Sequence, residues 1–324
     1  MNVKFQKLHA AVLLLCFMAC SPAVVAQPPE ESPTPELPQA EVFQQPKLSL
    51  NYSPYVNGLS PEKNSPVPLS LMEGHLKTLR PYADTIRLFG VSGELAKIYK
   101  PAKETYGFRV ISGCWLDRNY PEREIYKELD ALIKLANDGY ADIAVVGSET
   151  LFRRDFSKDK LIEYIEYVRG KVNDKNIPVT TSDTATAWNS PELVNACDVI
   201  LVTIYPFFSD VSAENAAEAL KETYEQVKGV ANGKQVIISE TGWPTAGSPE
   251  GAAVPSEENA RLYFEEVYEW SRAEDIEVIF FGAIDEAWKR EGIKGDIGMH
   301  WGHFNADGTL KEVYAEIYGE IGSP

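Results

Sequence analysis

The chain has 324 residues, a formal charge of −17, and 44 % hydrophobic and 11 % aromatic residues. That much apolar side chain can bury a large core and excludes wholesale disorder. So acidic a surface repels phosphate backbones; it argues against a nucleic-acid partner and leaves neutral substrates such as polysaccharides open.

At the N-terminus, Lys4 and Lys7 precede a short apolar run from Leu8 to Ala19. Residues 1–26 read as a signal peptide, with the small-residue site Val24-Val25-Ala26 placing cleavage before Gln27. The alternative is a lipoprotein signal over residues 1–19, because Phe17-Met18-Ala19-Cys20 resembles a lipobox and Cys20 would then carry the lipid. Either way an exported protein is expected: secreted, periplasmic or lipid-anchored at the cell envelope. Any membrane contact would come only through Cys20, since no later stretch is long and apolar enough to span a bilayer. Residues 27–46, rich in Pro, Glu and Gln, read as a flexible linker.

From residue 47 to 324 one continuous domain is expected. Eight short runs read as strands: Leu48–Tyr52, Thr85–Phe89, Arg109–Trp115, Asp142–Glu149, Pro178–Asp183, Val199–Tyr205, Gln235–Glu240 and Glu277–Ile284. Most are near-continuously apolar, as strands buried on both faces of a parallel sheet must be. Amphipathic stretches lie between them. In Glu122–Asp138, the residues Ile125, Leu129, Leu132, Ile133 and Ala136 share one face, and Gly139 follows as a stop. Ser190-Pro191-Glu192 and Ser256-Glu257-Glu258 carry N-cap signals with acids in the first turn. Eight βα units predict an α/β fold of the (β/α)8 TIM-barrel type in a single catalytic domain. The alternative, a doubly wound open sheet, lacks the glycine-rich phosphate turn after the first strand. Of four cysteines, Cys16 and Cys20 fall in the signal. Cys114 ends strand three, whereas Cys197 precedes strand six, so opposite barrel faces, roughly 16 Å apart, separate them. Two free thiols are therefore expected.

Active sites of such barrels are built at the C-terminal strand ends. Strand four ends Val145-Val146-Gly147-Ser148-Glu149, and strand seven runs Ile238-Ser239-Glu240-Thr241-Gly242-Trp243-Pro244. One such glutamate alone could be an ordinary strand-terminal residue. Two on one rim, each preceded by apolar residues, provide what glycoside hydrolysis needs: one carboxyl kept protonated and one ionised.

The segments Val146–Glu149 and Ser239–Pro244, with Phe281–Lys289 and His300–Phe304, resemble the motifs of glycoside hydrolase family 17, the β-1,3-glucanases of clan A, in a bacterial-type form. The resemblance runs in order from about Tyr52 to Lys311. It implies a retaining hydrolase of β-1,3-glucan, with Glu149 as acid/base and Glu240 as nucleophile. It also implies supporting roles for Glu286 and Lys289, whose bland alternative is a surface ion pair three residues apart. Arg87 could hold Glu240 ionised, or be a buried structural arginine. Ser148 stands where the family usually has an asparagine bonding the sugar 2-hydroxyl, which puts that contact in question.

Among aromatics near strand ends, Tyr205 and Phe208 are the favoured sugar platforms. Trp243 is a further substrate-binding or supporting residue, and Trp115, Trp188, Trp288 and Trp301 qualify by position. Asp183 is a weaker site candidate, and His300 is given no role. No motif for a metal or cofactor is present, so none is expected. A monomer acting on β-1,3-glucan is expected. A glucanosyltransferase using the same glycosyl-enzyme intermediate is the first alternative, and a non-catalytic glucan-binding protein the second.

Overall fold

The computed structural model describes residues 47–291 and 295–322. The expected signal, Cys20 and the linker lie outside the described residues. The eight strands are β1 (Leu48–Asn51), β2 (Ala83–Leu88), β3 (Arg109–Cys114), β4 (Ile143–Ser148), β5 (Val179–Thr184), β6 (Ile200–Thr203), β7 (Val236–Thr241) and β8 (Val278–Phe280). They close in sequence order into a parallel barrel, β8 returning to β1. The predicted TIM barrel is what forms. Strand β8 is shorter than expected because the chain turns away after Phe280: Gly282 N–H donates to Trp301 O at 2.8 Å, in the closing segment.

Helices α1 (Leu69–Leu79), α2 (Glu122–Asn137), α3 (Lys158–Lys171), α4 (Pro191–Ala196), α5 (Ala213–Val230), α6 (Glu257–Ala273) and α7 (Ala315–Gly322) surround the barrel. The unit between β2 and β3 departs from the regular βα pattern: only short helical turns, at Leu95–Lys97 and Pro101–Thr105, make the crossover. The anticipated caps are formed, Ser190 accepting from Leu193 N–H and Ser256 from Asn259 N–H. Helix α2 buries Ile125, Leu129, Leu132, Ile133 and Ala136, the face its spacing assigns.

Two apolar layers result from strand alternation. Ile111, Ile143, Val145, Leu201, Ile237 and Ile279 form one cluster inside the barrel. Their neighbours Val110, Ala144, Val146, Ile200, Val202, Ile238 and Phe280 join the helices in the outer core. Toward the C-terminal end the interior turns polar, with Asn51, Arg87, Ser182 and Ser239 all buried. Cys114 and Cys197 are buried and free. Burial pushes the Cys114 thiol up to about 12 and also raises that of Cys197, so neither is a reactive thiolate at neutral pH.

Candidate active site

The site rests on two β-bulges. On β7, Val202 of β6 pairs with Ile238, but the next residue, Thr203, pairs with Glu240, so Ser239 is an extra residue. On β4, Val145 pairs with Thr180 and Ser148 with Ser182, three residues facing two. Strict alternation from Ile237 and Val145 would aim Glu240 and Ser148 outward, toward the helices. The extra residue on each strand re-aims both inward. Gly147, in the β4 bulge, has φ 75°, and a Cβ there would stand 2.6 Å from Thr150 Cγ2. Only glycine fits. Gly242 is required for a different reason, since a Cβ would collide with the carbonyl oxygen of Phe281.

Glu240 is 7 % exposed and held on both oxygens. Arg87 Nη1 donates to Oε1 at 2.8 Å, Ser148 Oγ donates to Oε1 at 3.2 Å, and Tyr205 hydroxyl donates to Oε2 at 3.3 Å. Arg87, 1 % exposed, also donates to Asn51 Oδ1 at 2.9 Å and to Ser148 Oγ at 3.0 Å, and its guanidinium covers the Phe89 ring at 4.4 Å. Asn51 is fixed in turn by donating to the carbonyls of Ser239 and Ile279. The fully buried arginine gives Glu240 a charge-assisted hydrogen bond and a counter-charge. Arg87 thus serves both readings offered by the sequence, as a buried residue and as the partner of Glu240. Ser148 spends its hydroxyl within this network.

Among the described residues, no ion pair joins Glu149 to a cation as Arg87 is joined to Glu240. Its backbone sits at φ 53°, in the left-handed region, with its N–H donated to Ser182 O at 2.7 Å. Its carboxyl is raised to about 8, chiefly by burial and then by the charges of Glu240 and Asp183, while Arg153 and Arg87 oppose the shift. One carboxyl is therefore charge-paired and its neighbour is pushed toward the protonated form. This division suits a nucleophile and a proton donor.

Glu286 and Lys289 form their own cluster. Lys289 Nζ lies 2.5 Å from Glu286 Oε2, and Trp288 Nε1 donates to Oε1 at 2.9 Å. The pair is three residues apart as anticipated, but Glu286 is 7 % exposed, so it is not a surface bridge. Lys289 also covers the Phe281 ring at 4.1 Å, which joins the cluster to an aromatic wall of Tyr205, Phe208, Phe281 and Trp301. In this wall Phe208 keeps an exposed ring, 39 % accessible. Tyr205 differs from expectation: its ring is held edge-on by its neighbours and its hydroxyl faces Glu240.

Trp243 is not a sugar platform. It is 2 % exposed, packs edge-on to Phe207 at 5.0 Å, and donates its Nε1 to Val254 O. Trp188, fully buried, is likewise core. Both follow strand ends, but the chain folds them back under the loops. Trp115 is half-buried under the Arg153 guanidinium, 4.3 Å from the ring. Sequence reasoning passed over Asn51 and Arg153. Asn51 was findable, as a polar residue within an apolar strand; Arg153, which donates to Ser148 O and Leu116 O, carries no such signal.

Comparisons with known proteins cover the same part of the chain. A family model described as the BtgE/BtgC glycoside hydrolase domain matches residues 49–302. A glucan 1,3-beta-glucosidase of Candida albicans, BGL2, is 30 % identical over 267 residues, 75 % of this chain and 85 % of its own length. One from Arthroderma benhamiae is 30 % identical over 262 residues, covering 72 % and 81 %. Among solved structures, a glycoside hydrolase family 17 β-1,3-glucanosyltransferase from Rhizomucor miehei matches with TM-score 0.73 and 30 % identity over 82 % of this chain and 96 % of that one. An endo-laminarinase from Formosa, 17 % identical, shares the fold with TM-score 0.74 over 85 % and 87 %.

Proposed function

Since the chain belongs to glycoside hydrolase family 17, within its BtgE/BtgC-type domains, we propose that it cleaves β-1,3-glucan by a retaining double displacement. Glu240 attacks the anomeric carbon and Glu149 donates a proton to the leaving oxygen. The covalent ester is then released by water that Glu149 deprotonates. The observation that carries this is the unequal pair: Glu240 bonded to Arg87 at 2.8 Å, Glu149 raised to about 8. A protein that only bound glucan would gain nothing from two carboxylates at one cleft. Phe208 supplies an exposed aromatic face for a sugar ring, and Glu286 a buried carboxylate able to bond a hydroxyl.

The test is a time course on laminari-oligosaccharides followed by proton NMR. The β-anomer should appear first, as expected when the carboxyls stand about 5–5.5 Å apart. An α-anomer appearing first would mean inversion. The same samples decide between water and sugar as acceptor. Products longer than the substrate would favour the glucanosyltransferase reading, which the name of the Rhizomucor miehei relative supports.

We further propose that the protein is exported and acts as a monomer. The support for export is the basic-apolar segment ahead of Ala26 and the Pro-rich stretch after it. Intact-mass analysis of material from outside the cytoplasm should give a chain starting at Gln27, or one starting at a diacylglyceryl-modified Cys20. Recovery of the chain with residues 1–19 still attached would overturn both forms of the export proposal. A native mass of two chains would overturn the monomer.

A further inference from the structure

Asp183, at the end of β5, is completely buried in the strand next to Glu149. Its carboxylate accepts three backbone N–H groups: Leu151 at 2.8 Å, Phe152 at 3.3 Å and Thr184 at 2.9 Å. Two of those donors belong to the turn that immediately follows Glu149. The carbonyl of Ser182, the preceding residue on β5, takes the Glu149 N–H itself. The end of β5 therefore grips the backbone on both sides of a glutamate held at φ 53°. A non-glycine residue in that region is strained and persists only where its surroundings fix it.

We propose that Asp183 is the positioning residue of the acid/base: it holds the strained turn that aims Glu149 and supplies a fixed negative charge behind it. This rests on the assignment of Glu149 made above. Five polar groups face Glu149 from the packed elements: Glu240 on β7, Asp183 on β5, Arg153 on the loop after β4, Arg87 on β2 and Tyr205 after β6. Glu240 loses its charge when it forms the glycosyl ester. Asp183 takes no part in the ester, so the two carboxylates affect Glu149 differently at the two steps. Burial raises Asp183 itself, and its three N–H donors pull it back toward the ionised form.

The experiment compares wild type, Asp183→Asn and Glu149→Ala on laminarin and on a dinitrophenyl β-laminaribioside, whose leaving group needs no proton. Asparagine removes the charge and turns an amide N–H₂ toward one of the backbone donors. For Asp183→Asn we expect kcat/KM on laminarin to fall about 10–100-fold, the dinitrophenyl substrate to change less than about threefold, and the alkaline limb of the pH profile to move down by about one unit. Equal losses on both substrates with an unmoved limb would make Asp183 merely structural and overturn the proposal. If Glu149→Ala itself showed no dependence on the leaving group, the assignment of Glu149 would fall instead. Should Asp183→Asn not fold, a carboxyl ¹³C titration decides. In Glu240→Gln, the Glu149 resonance must still register a separate acidic step from Asp183, and a single-step curve overturns the proposal.

Discussion

Glu240→Ala loses hydrolysis of laminarin by about 10⁵–10⁶-fold, the scale on which removing a covalent nucleophile acts. None of the side chains bonded to Glu240 can take its place. Ser148 and Tyr205 donate to Glu240, and Arg87 is a cation. The variant keeps its fold, because Arg87 retains Asn51 Oδ1 and Ser148 Oγ after the carboxylate is gone. It is destabilised, since one nitrogen of a buried guanidinium loses its counter-charge; circular dichroism and a thermal melt report both. Azide fills the vacated space and attacks an aryl β-laminaribioside from that side. Activity on this substrate returns, and the product is the α-glycosyl azide. A β-azide from this variant would reverse the roles of the two glutamates.

Glu149→Ala gives a different pattern. Removing general acid help costs about 10²–10⁴-fold on laminarin, whose sugar leaving group must be protonated. An aryl substrate with a good leaving group still forms the ester on Glu240. The second step then slows, because no base activates water, and azide relieves it by giving the β-azide. The pH profile adds a check with a defined sign. Glu149 is raised to about 8 in the free enzyme, so it is protonated at neutral pH and the first step fails as pH rises through that value. Wild-type kcat/KM on laminarin therefore falls on the alkaline side near pH 8. Glu149→Ala lacks this limb. Once Glu240 is esterified its charge no longer raises Glu149, which can then ionise and serve as base. An alkaline limb that survived in Glu149→Ala would assign the titration to another group.

Much of this enzyme is readable in the residue order. Eight apolar runs, each long enough for a buried strand and separated by capped amphipathic segments, admit few architectures other than a closed parallel barrel. Chain direction then places the C-terminal ends of all the strands on one rim, which makes Glu149 and Glu240 candidates without coordinates. What sequence could not supply was direction. By alternation Glu240 should point away from the cavity; a bulge at Ser239 turns it in, and bulges depend on the partner strand's register. Nor could sequence separate aromatic residues that share a rim. Phe208 stays exposed while Trp243 folds back beneath Phe207, because the path of each loop decides which rings the core absorbs. The electrostatic division of labour is tertiary as well. Asn51, Arg87, Ser148 and Tyr205 come from β1, β2, β4 and the loop after β6, and they bear on one carboxylate only because closure of the barrel brings those ends together. Strand composition, a local property, thus fixed the barrel and its rim, whereas the aim and charge of the side chains on that rim depend on contacts between strands far apart in the chain.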